Sequence, residues 1–222
     1  MTLAERYAAI IEDVASVARD NGRDPASITT IVVTKFHPAA LVRELAALGA
    51  LDVGENRHQE AADKAAATAE LGLTWHFIGQ LQSNKAAAAL EYARVVHSVD
   101  RVALVGALAK ARVPVDVFIQ LNLTDDAQRG GVQPVALEQL AESVLASDTL
   151  TLKGLMAVAP LGEHPSAAFE RVRAASDRLQ RLAPQATQLS IGMSGDYREA
   201  VVAGATHLRI GTAITGNRAP QG

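Results

Sequence analysis

Lys35 follows the apolar run Ile31, Val32 and Val33. An ammonium leaving such a strand is expected to be partly desolvated, which lowers its pKa and frees the amine to attack a carbonyl carbon. That is Schiff-base chemistry. The other reading is a surface lysine held by helix ends or nearby carboxylates, and position alone does not choose between them. Two glycine-bearing segments lie near the carboxyl terminus. Gly192, Met193, Ser194 and Gly195 form a turn into a helix, so Ser194 can cap it while backbone N–H groups point outward from its positive end. Arg209, Ile210, Gly211 and Thr212 close a strand in the same way. Glycines let a backbone approach a ligand and hydroxyls donate to it, so the two loops together predict an anion site. Glu55, Asn56 and Arg57, and Gln80, Gln82, Asn84 and Lys85, either orient a ligand or are solvated loop residues. The six histidines show no HExxH or HxH pairing and there is no cysteine, so no metal site is expected. His76 and His97 fall within strands, where packed, hydrogen-bonded imidazoles are the commoner outcome.

Positioning these groups requires a repeated strand and helix pattern, and the chain supplies one. Leu3, Tyr7, Ile10, Ile11, Val14 and Val17 recur at helical spacing, and Asn21 and Gly22 end that helix. Ile28 to Val33 is β-branched and continuously apolar, a strand buried on both faces, and Pro38 then suits the first turn of a helix running through Leu41, Leu45 and Leu48 to Gly49. Further strands are expected at Leu51 to Val53, Thr74 to Ile78, Arg94 to Ser98, Val115 to Leu121, Leu152 to Met156, Gln188 to Ile191 and Thr206 to Ile210. Helices are expected over Ala61 to Ala69, Ser83 to Tyr92, Val102 to Lys110 with Asp100 as N-cap, after Pro134, after Pro165, and over Asp196 to Ala203. The count of strands is eight. Eight short apolar strands with right-handed crossover helices predict an α/β fold, a single closed (β/α)8 barrel over residues 1–222. An open doubly wound sheet would show a glycine-rich turn after the first strand, and Thr34 to Pro38 contains no glycine. Ala219 to Gly222 reads as a frayed tail.

Composition narrows the classes. With 49% hydrophobic and 20% charged residues the 222-residue chain has ordinary globular usage, which excludes a disordered or collagen-like protein. A net charge of −3 and no run of five Lys/Arg residues argue against a nucleic-acid partner. Glu5 and Arg6 interrupt the stretch that a signal peptide would need, and no apolar run approaches about 18 residues, so a soluble cytoplasmic protein without a membrane partner is expected. A barrel closes its own sheet edges, which predicts a monomer. An aldehyde-capturing lysine and a phosphate cradle at one barrel mouth suit pyridoxal phosphate, or a sugar phosphate handled by an aldolase. Spacing does not separate the two.

Seven segments together carry a resemblance: VTKFHP around Lys35, GENRHQE from Gly54, WHFIGQLQSNK from Trp75, HSVDR from His97, GLM from Gly154, LSIGMSGD from Leu189 and GATHLRIGTAITGNR from Gly204. In this order, spanning nearly the whole chain, they resemble the pyridoxal phosphate homeostasis protein family. The resemblance implies a barrel like the amino-terminal domain of alanine racemase, with pyridoxal 5'-phosphate held as an aldimine on Lys35. It places the phosphate on Ser194, Gly195, Gly211 and Thr212, Arg209 against the pyridine nitrogen, and Asn56, His76 and Met193 along the ring. The family's lysine segment reads VSKTKP, so Thr34, Phe36 and His37 depart from it, and an imidazole replaces the second fixed cation. An arginine against the ring nitrogen keeps it unprotonated and weakens the cofactor as an electron sink. The chain ends soon after Gly211, and none of Tyr7, Tyr92 or Tyr197 sits at a strand's carboxyl end, with Tyr197 one turn into the helix after Ser194. These features imply a carrier of pyridoxal phosphate that exchanges it with apo-enzymes, rather than an enzyme. The alternative is an amino-acid racemase or a Schiff-base aldolase using the same lysine.

Overall fold

The structure, a computed structural model, describes residues 1–126 and 129–216, so the tail read at Ala219 to Gly222 lies outside the described residues. Eight parallel strands close into a barrel in sequence order: β1 (Thr29–Val33), β2 (Asp52–Glu55), β3 (Thr74–Phe77), β4 (Ala93–Val99), β5 (Val115–Gln120), β6 (Leu150–Met156), β7 (Gln188–Ser190) and β8 (His207–Ile210). The ring is completed where Thr29 to Val32 of β1 pair with His207 to Ile210 of β8. Outside it stand α1 (Leu3–Asp20), α2 (Ala39–Ala47), α3 (His58–Ala67), α4 (Ala86–Ala89), α5 (Val102–Leu108), α6 (Leu137–Leu145), α7 (Pro165–Leu182), α8 (Tyr197–Val202) and α9 (Thr212–Thr215). The expected barrel is therefore the observed one.

Where element ends differ from expectation, the cause is local. The helix predicted over Ser83 to Tyr92 is a 3-10 turn, Ser83–Lys85, leading into the four alanines of α4. The buried Ala86 and Ala89 leave little side chain to anchor a longer helix. Asp100 does not cap α5: its Oδ1 accepts from Arg101 Nη1 at 2.5 Å, and Arg101 takes the cap position with no side-chain cap bond. Pro38 sits one residue before the first turn of α2, as its N-cap. Thr2 and Glu5 form a reciprocal capping box on α1, satisfying two amino-terminal donors that its hydrophobic spacing did not reveal. α9 has no counterpart among the expected helices, because its four residues are too few to show a period.

The main apolar core lies between barrel and helices, where Leu45, Leu104, Leu108, Leu137, Phe169 and Leu179 are fully buried. The barrel interior is more polar. Val95, Phe118 and Met156 form a small apolar cluster there, and the ring of His97 stacks on Phe118 at 4.5 Å between centroids. His207 meets the same phenyl ring edge-on at 5.0 Å. Burial disfavours an imidazolium, so His97 is held well below the ordinary histidine pKa and His207 is pushed down to about 4. The unfolded chain takes up these protons near pH 6.5 and the folded chain does not. Stability is therefore complete above about pH 6.5 and is lost as pH falls towards 4, with His207 alone contributing a loss of about 3 kcal/mol at that point. Urea unfolding of His207→Gln across this interval should give a visibly shallower decline than the parent, and parallel curves would contradict the assignment.

Candidate functional site

Lys35 occupies the second position of a four-residue turn just past β1, in which the His37 N–H donates to the Thr34 carbonyl at 3.1 Å. The third position is Phe36 at φ +68°, a left-handed conformation that such turns usually give to glycine. Side chains from α3 and β2 hold this turn. The Phe36 N–H donates to Glu60 Oε2 at 3.0 Å, and Lys64 Nζ donates to the Thr34 carbonyl at 2.8 Å and to Glu55 Oε1 at 2.7 Å. The Thr34 hydroxyl donates to the same Glu55 oxygen at 2.6 Å. Glu55 is fully buried; burial pushes its carboxyl upward, against the downward pull of the Lys64 and Thr34 hydrogen bonds. Its Oε2 has no partner among the described residues. Lys35 itself is exposed, so the desolvation expected from the apolar strand does not occur: the side chain leaves the strand end into the mouth rather than lying against it.

The opposite wall is made by the β7–α8 and β8–α9 loops. Ser194 does not cap α8, as its position suggested. Asp196 takes that place and its Oδ1 accepts from the Met193 N–H at 2.6 Å. Ser194 Oγ instead accepts from the Ala213 N–H at 3.2 Å, tying the two loops together across the site. The backbone N–H groups of Ser194 and Gly195 have no acceptor among the described residues. Thr212, the first residue of the short α9, carries an N–H that has no partner within its own helix.

Between the walls lies a cavity of about 510 Å³ lined by Lys35, Asn56, Met193, Ser194, Gly195, Arg209, Gly211 and Thr212, with Val33, Ile78, Gly79, Gln80, Gln120, Met156 and Val158 completing it. Eight of the nine predicted site residues thus meet at one place. His76 is the exception. Its side chain is buried inside the barrel, with Nε2 2.9 Å from Asp52 Oδ1 at the opposite end and Nδ1 2.9 Å from His97 Nε2. The placement within a strand, not the family pattern, foretold this packed imidazole. Of the other strand-end residues, Gln80 lines the cavity, Glu55 turns away to Lys64, and Arg57, Gln82, Asn84 and Lys85 are not in its wall. Gln120, Glu60 and Lys64 were missed. Glu60 and Lys64 lie four apart on α3 next to the GEN segment, the only sequence signal they offered.

Arg209 is 4% exposed and is the cavity's charged floor. Nη1 donates to the Ser190 carbonyl and hydroxyl at 2.6 and 2.7 Å, and Nη2 to the Ala157 carbonyl at 2.9 Å. Burial pushes the guanidinium down to about 10, so it remains charged at neutral pH. Gly79 fixes the side wall: a Cβ there would lie 2.2 Å from the Asn56 carbonyl oxygen. Gly79→Ala should cost about 1–3 kcal/mol or more through a forced backbone shift and displace Asn56 from the cavity. Urea midpoints measure the cost, and a variant as stable as the parent would show that the loop yields freely. No group of described His, Asp or Glu side chains is arranged to hold a metal ion.

A closed barrel with a lysine turn on one side of its mouth, paired glycine loops on the other and an arginine floor defines a class, and the family model described as "Alanine racemase, N-terminal domain" matches residues 15–219. The chain belongs to the pyridoxal phosphate homeostasis protein family. It is 42% identical to the pyridoxal phosphate homeostasis protein of Pseudomonas aeruginosa, covering 98% of this chain and 96% of that one, and 38% identical to that of Escherichia coli K12, covering 97% of each. Among solved structures, PipY of Synechococcus elongatus with pyridoxal phosphate bound superposes with a TM-score of 0.82 at 37% identity, over 97% of this chain and all of that one. Alanine racemase from Corynebacterium glutamicum, at 15% identity and TM-score 0.70 over 93% of this chain and 59% of that one, shares the fold.

Proposed function

We propose that this protein binds pyridoxal 5'-phosphate covalently through Lys35 and serves as a non-catalytic carrier in pyridoxal phosphate homeostasis. The observation that carries the reading is the meeting, in one cavity, of a primary amine, a two-loop anion cradle and a buried arginine. The aldehyde of this cofactor condenses reversibly with a primary amine, releasing one water. The chain's own groups suit each part of it. Lys35 Nζ supplies the amine. The N–H groups of Ser194, Gly195 and Thr212, with the Ser194 and Thr212 hydroxyls and the side-chain-free Gly211, suit a phosphate. Asn56 and Met193 border the space for the ring. Arg209 is a donor only and stays protonated, so it would give a hydrogen bond to a ring nitrogen without giving up its proton, which disfavours carbanion chemistry.

Racemase chemistry needs a second acid–base group beside the lysine, and the tyrosines are placed elsewhere. Tyr197 donates its hydroxyl to Asp13 Oδ2 at 2.6 Å on the outside of the barrel. Tyr7 lies by the opposite end of the barrel near Asp52, and Tyr92 packs with His58 and Trp75. We further infer that the protein works in the cytoplasm as a monomer and hands its ligand to apo-enzymes, whose lysines take it by amine exchange. Among the described residues no helix is long and apolar enough to cross a membrane. The test is to incubate the ligand-loaded protein with L-alanine or L-serine, and separately with an apo-enzyme. Unchanged optical activity together with reactivation of the apo-enzyme is expected; racemisation or cleavage that disappears in Lys35→Ala would overturn the carrier reading.

A further inference from the structure

Beneath Arg209 a continuous chain of side-chain hydrogen bonds crosses the barrel interior. Arg209 Nη1 is 2.7 Å from Ser190 Oγ, Ser190 Oγ is 2.8 Å from His97 Nδ1, His97 Nε2 is 2.9 Å from His76 Nδ1, and His76 Nε2 is 2.9 Å from Asp52 Oδ1. Ser190 and His97 are fully buried and His76 is 2% exposed, so water is not at hand to replace a missing partner. The two ends differ chemically. Arg209 can only donate, and the Asp52 carboxylate, partly exposed at the base of the barrel, can only accept. Between them the protons have one arrangement that uses every position once. His76 Nε2–H donates to Asp52, leaving Nδ1 as acceptor. His97 Nε2–H donates to it, leaving its own Nδ1 to accept the Ser190 O–H, and the Ser190 oxygen accepts from Arg209. Reversing the direction would protonate Asp52 and send two donors to Ser190, whose hydroxyl hydrogen would then have no acceptor among these partners.

We propose that Ser190, His97, His76 and Asp52 are positioning residues for Arg209, a one-directional hydrogen-bond chain that links the base of the barrel to the cavity floor and sets the guanidinium's orientation. With the Ser190 and Ala157 carbonyls, the Ser190 hydroxyl takes up three of the five guanidinium N–H groups. The Nε–H and one Nη2–H remain for a ligand. The consequence for pyridoxal phosphate rests on the function proposed above; the proton order itself does not.

The test begins on the protein without ligand. Nitrogen-15 NMR of labelled histidine should show His76 and His97 both as neutral Nε2–H tautomers, and Asp52→Ala, at the far end of the barrel, should change the tautomer population of His97. Ser190→Ala should speed solvent exchange of the Arg209 Nη1 protons and move the His97 Nδ1 signal. An Nδ1–H tautomer at either ring, a His97 signal indifferent to Asp52, or unaltered Arg209 exchange would overturn the chain whatever the protein binds. In the loaded protein, Ser190→Ala should release pyridoxal phosphate on the order of tenfold faster and shift its visible absorbance, with borohydride still labelling Lys35. Unchanged release and absorbance would remove the link to Arg209's role. Failure of the parent to take up the ligand at all would refute the proposed function and leave the NMR result to decide the chain.

Discussion

Lys35→Ala should abolish covalent retention of pyridoxal phosphate: the parent, mixed with the cofactor and desalted, carries a visible absorbance band, and the variant emerges colourless. Because Lys35 is exposed, its loss removes no packing, and stability without ligand should stay within about 0.5 kcal/mol of the parent. Stabilisation by ligand separates the two proteins. At a cofactor concentration about 100 times its dissociation constant, binding adds about 2.7 kcal/mol to the parent, which the variant should forfeit. The remaining loops, Ser194 to Gly195 and Gly211 to Thr212, would still offer a noncovalent phosphate site, and the weak residual binding they give should be lost on desalting. A variant that kept the band would move the attachment to another lysine.

The second large effect is on the fold beside that lysine. Lys64→Met removes the ammonium that compensates the fully buried Glu55 carboxylate, leaving the Thr34 hydroxyl as its recorded side-chain partner. Breaking a buried pair in this way costs about 3–5 kcal/mol, which for a chain of 222 residues lowers Tm by roughly 10 °C. The double variant Glu55→Gln/Lys64→Met, which buries no charge, should recover most of the loss. The pH dependence has a definite sign. Burial already raises the Glu55 pKa in the folded protein, and losing Lys64 raises it further, so the folded variant binds this proton more tightly than the unfolded chain. The deficit should be largest well above the folded pKa and shrink as pH falls through it. Thermal unfolding at about pH 8 and about pH 5 reads this, and a deficit that grows on acidification would contradict it. The same substitution frees the Thr34 carbonyl, so slower labelling of Lys35 should accompany the stability loss.

The architecture was legible because its signal is long-range and repetitive. Eight short, mainly apolar runs, the first seven each followed by a helical stripe, require a buried parallel sheet, and no glycine-rich turn after the first strand leads towards an open one. Lys35 and the two glycine loops were legible for the same reason: a barrel gathers the carboxyl ends of its strands at one face, so position along each strand is enough to assemble them. What escaped detection depends on direction. Ser194 and Asp196 are both competent helix caps two residues apart, and only the turn geometry shows that Asp196 holds the N-cap position of α8, its carboxylate accepting from Met193, while Ser194 bridges to Ala213. Glu55 looks like a cavity residue by position, yet strand alternation and the reach of Lys64 from α3 turn it outward, towards that helix. His76 matched the family pattern but sits in the middle of β3, too deep for the mouth, and its partners Asp52 and His97 come from strands 24 and 21 residues away. Such pairings have no local signature.

The most direct measurement is borohydride reduction of the wild-type protein after exposure to pyridoxal phosphate, followed by peptide mass analysis. Reduction converts a reversible link into a stable amine, so the label marks whichever nitrogen held the aldehyde. The structure predicts one stoichiometric adduct, carried by the peptide that contains Lys35. An unlabelled Lys35 peptide, with no adduct or with the adduct on a lysine outside the cavity, would contradict the central claim.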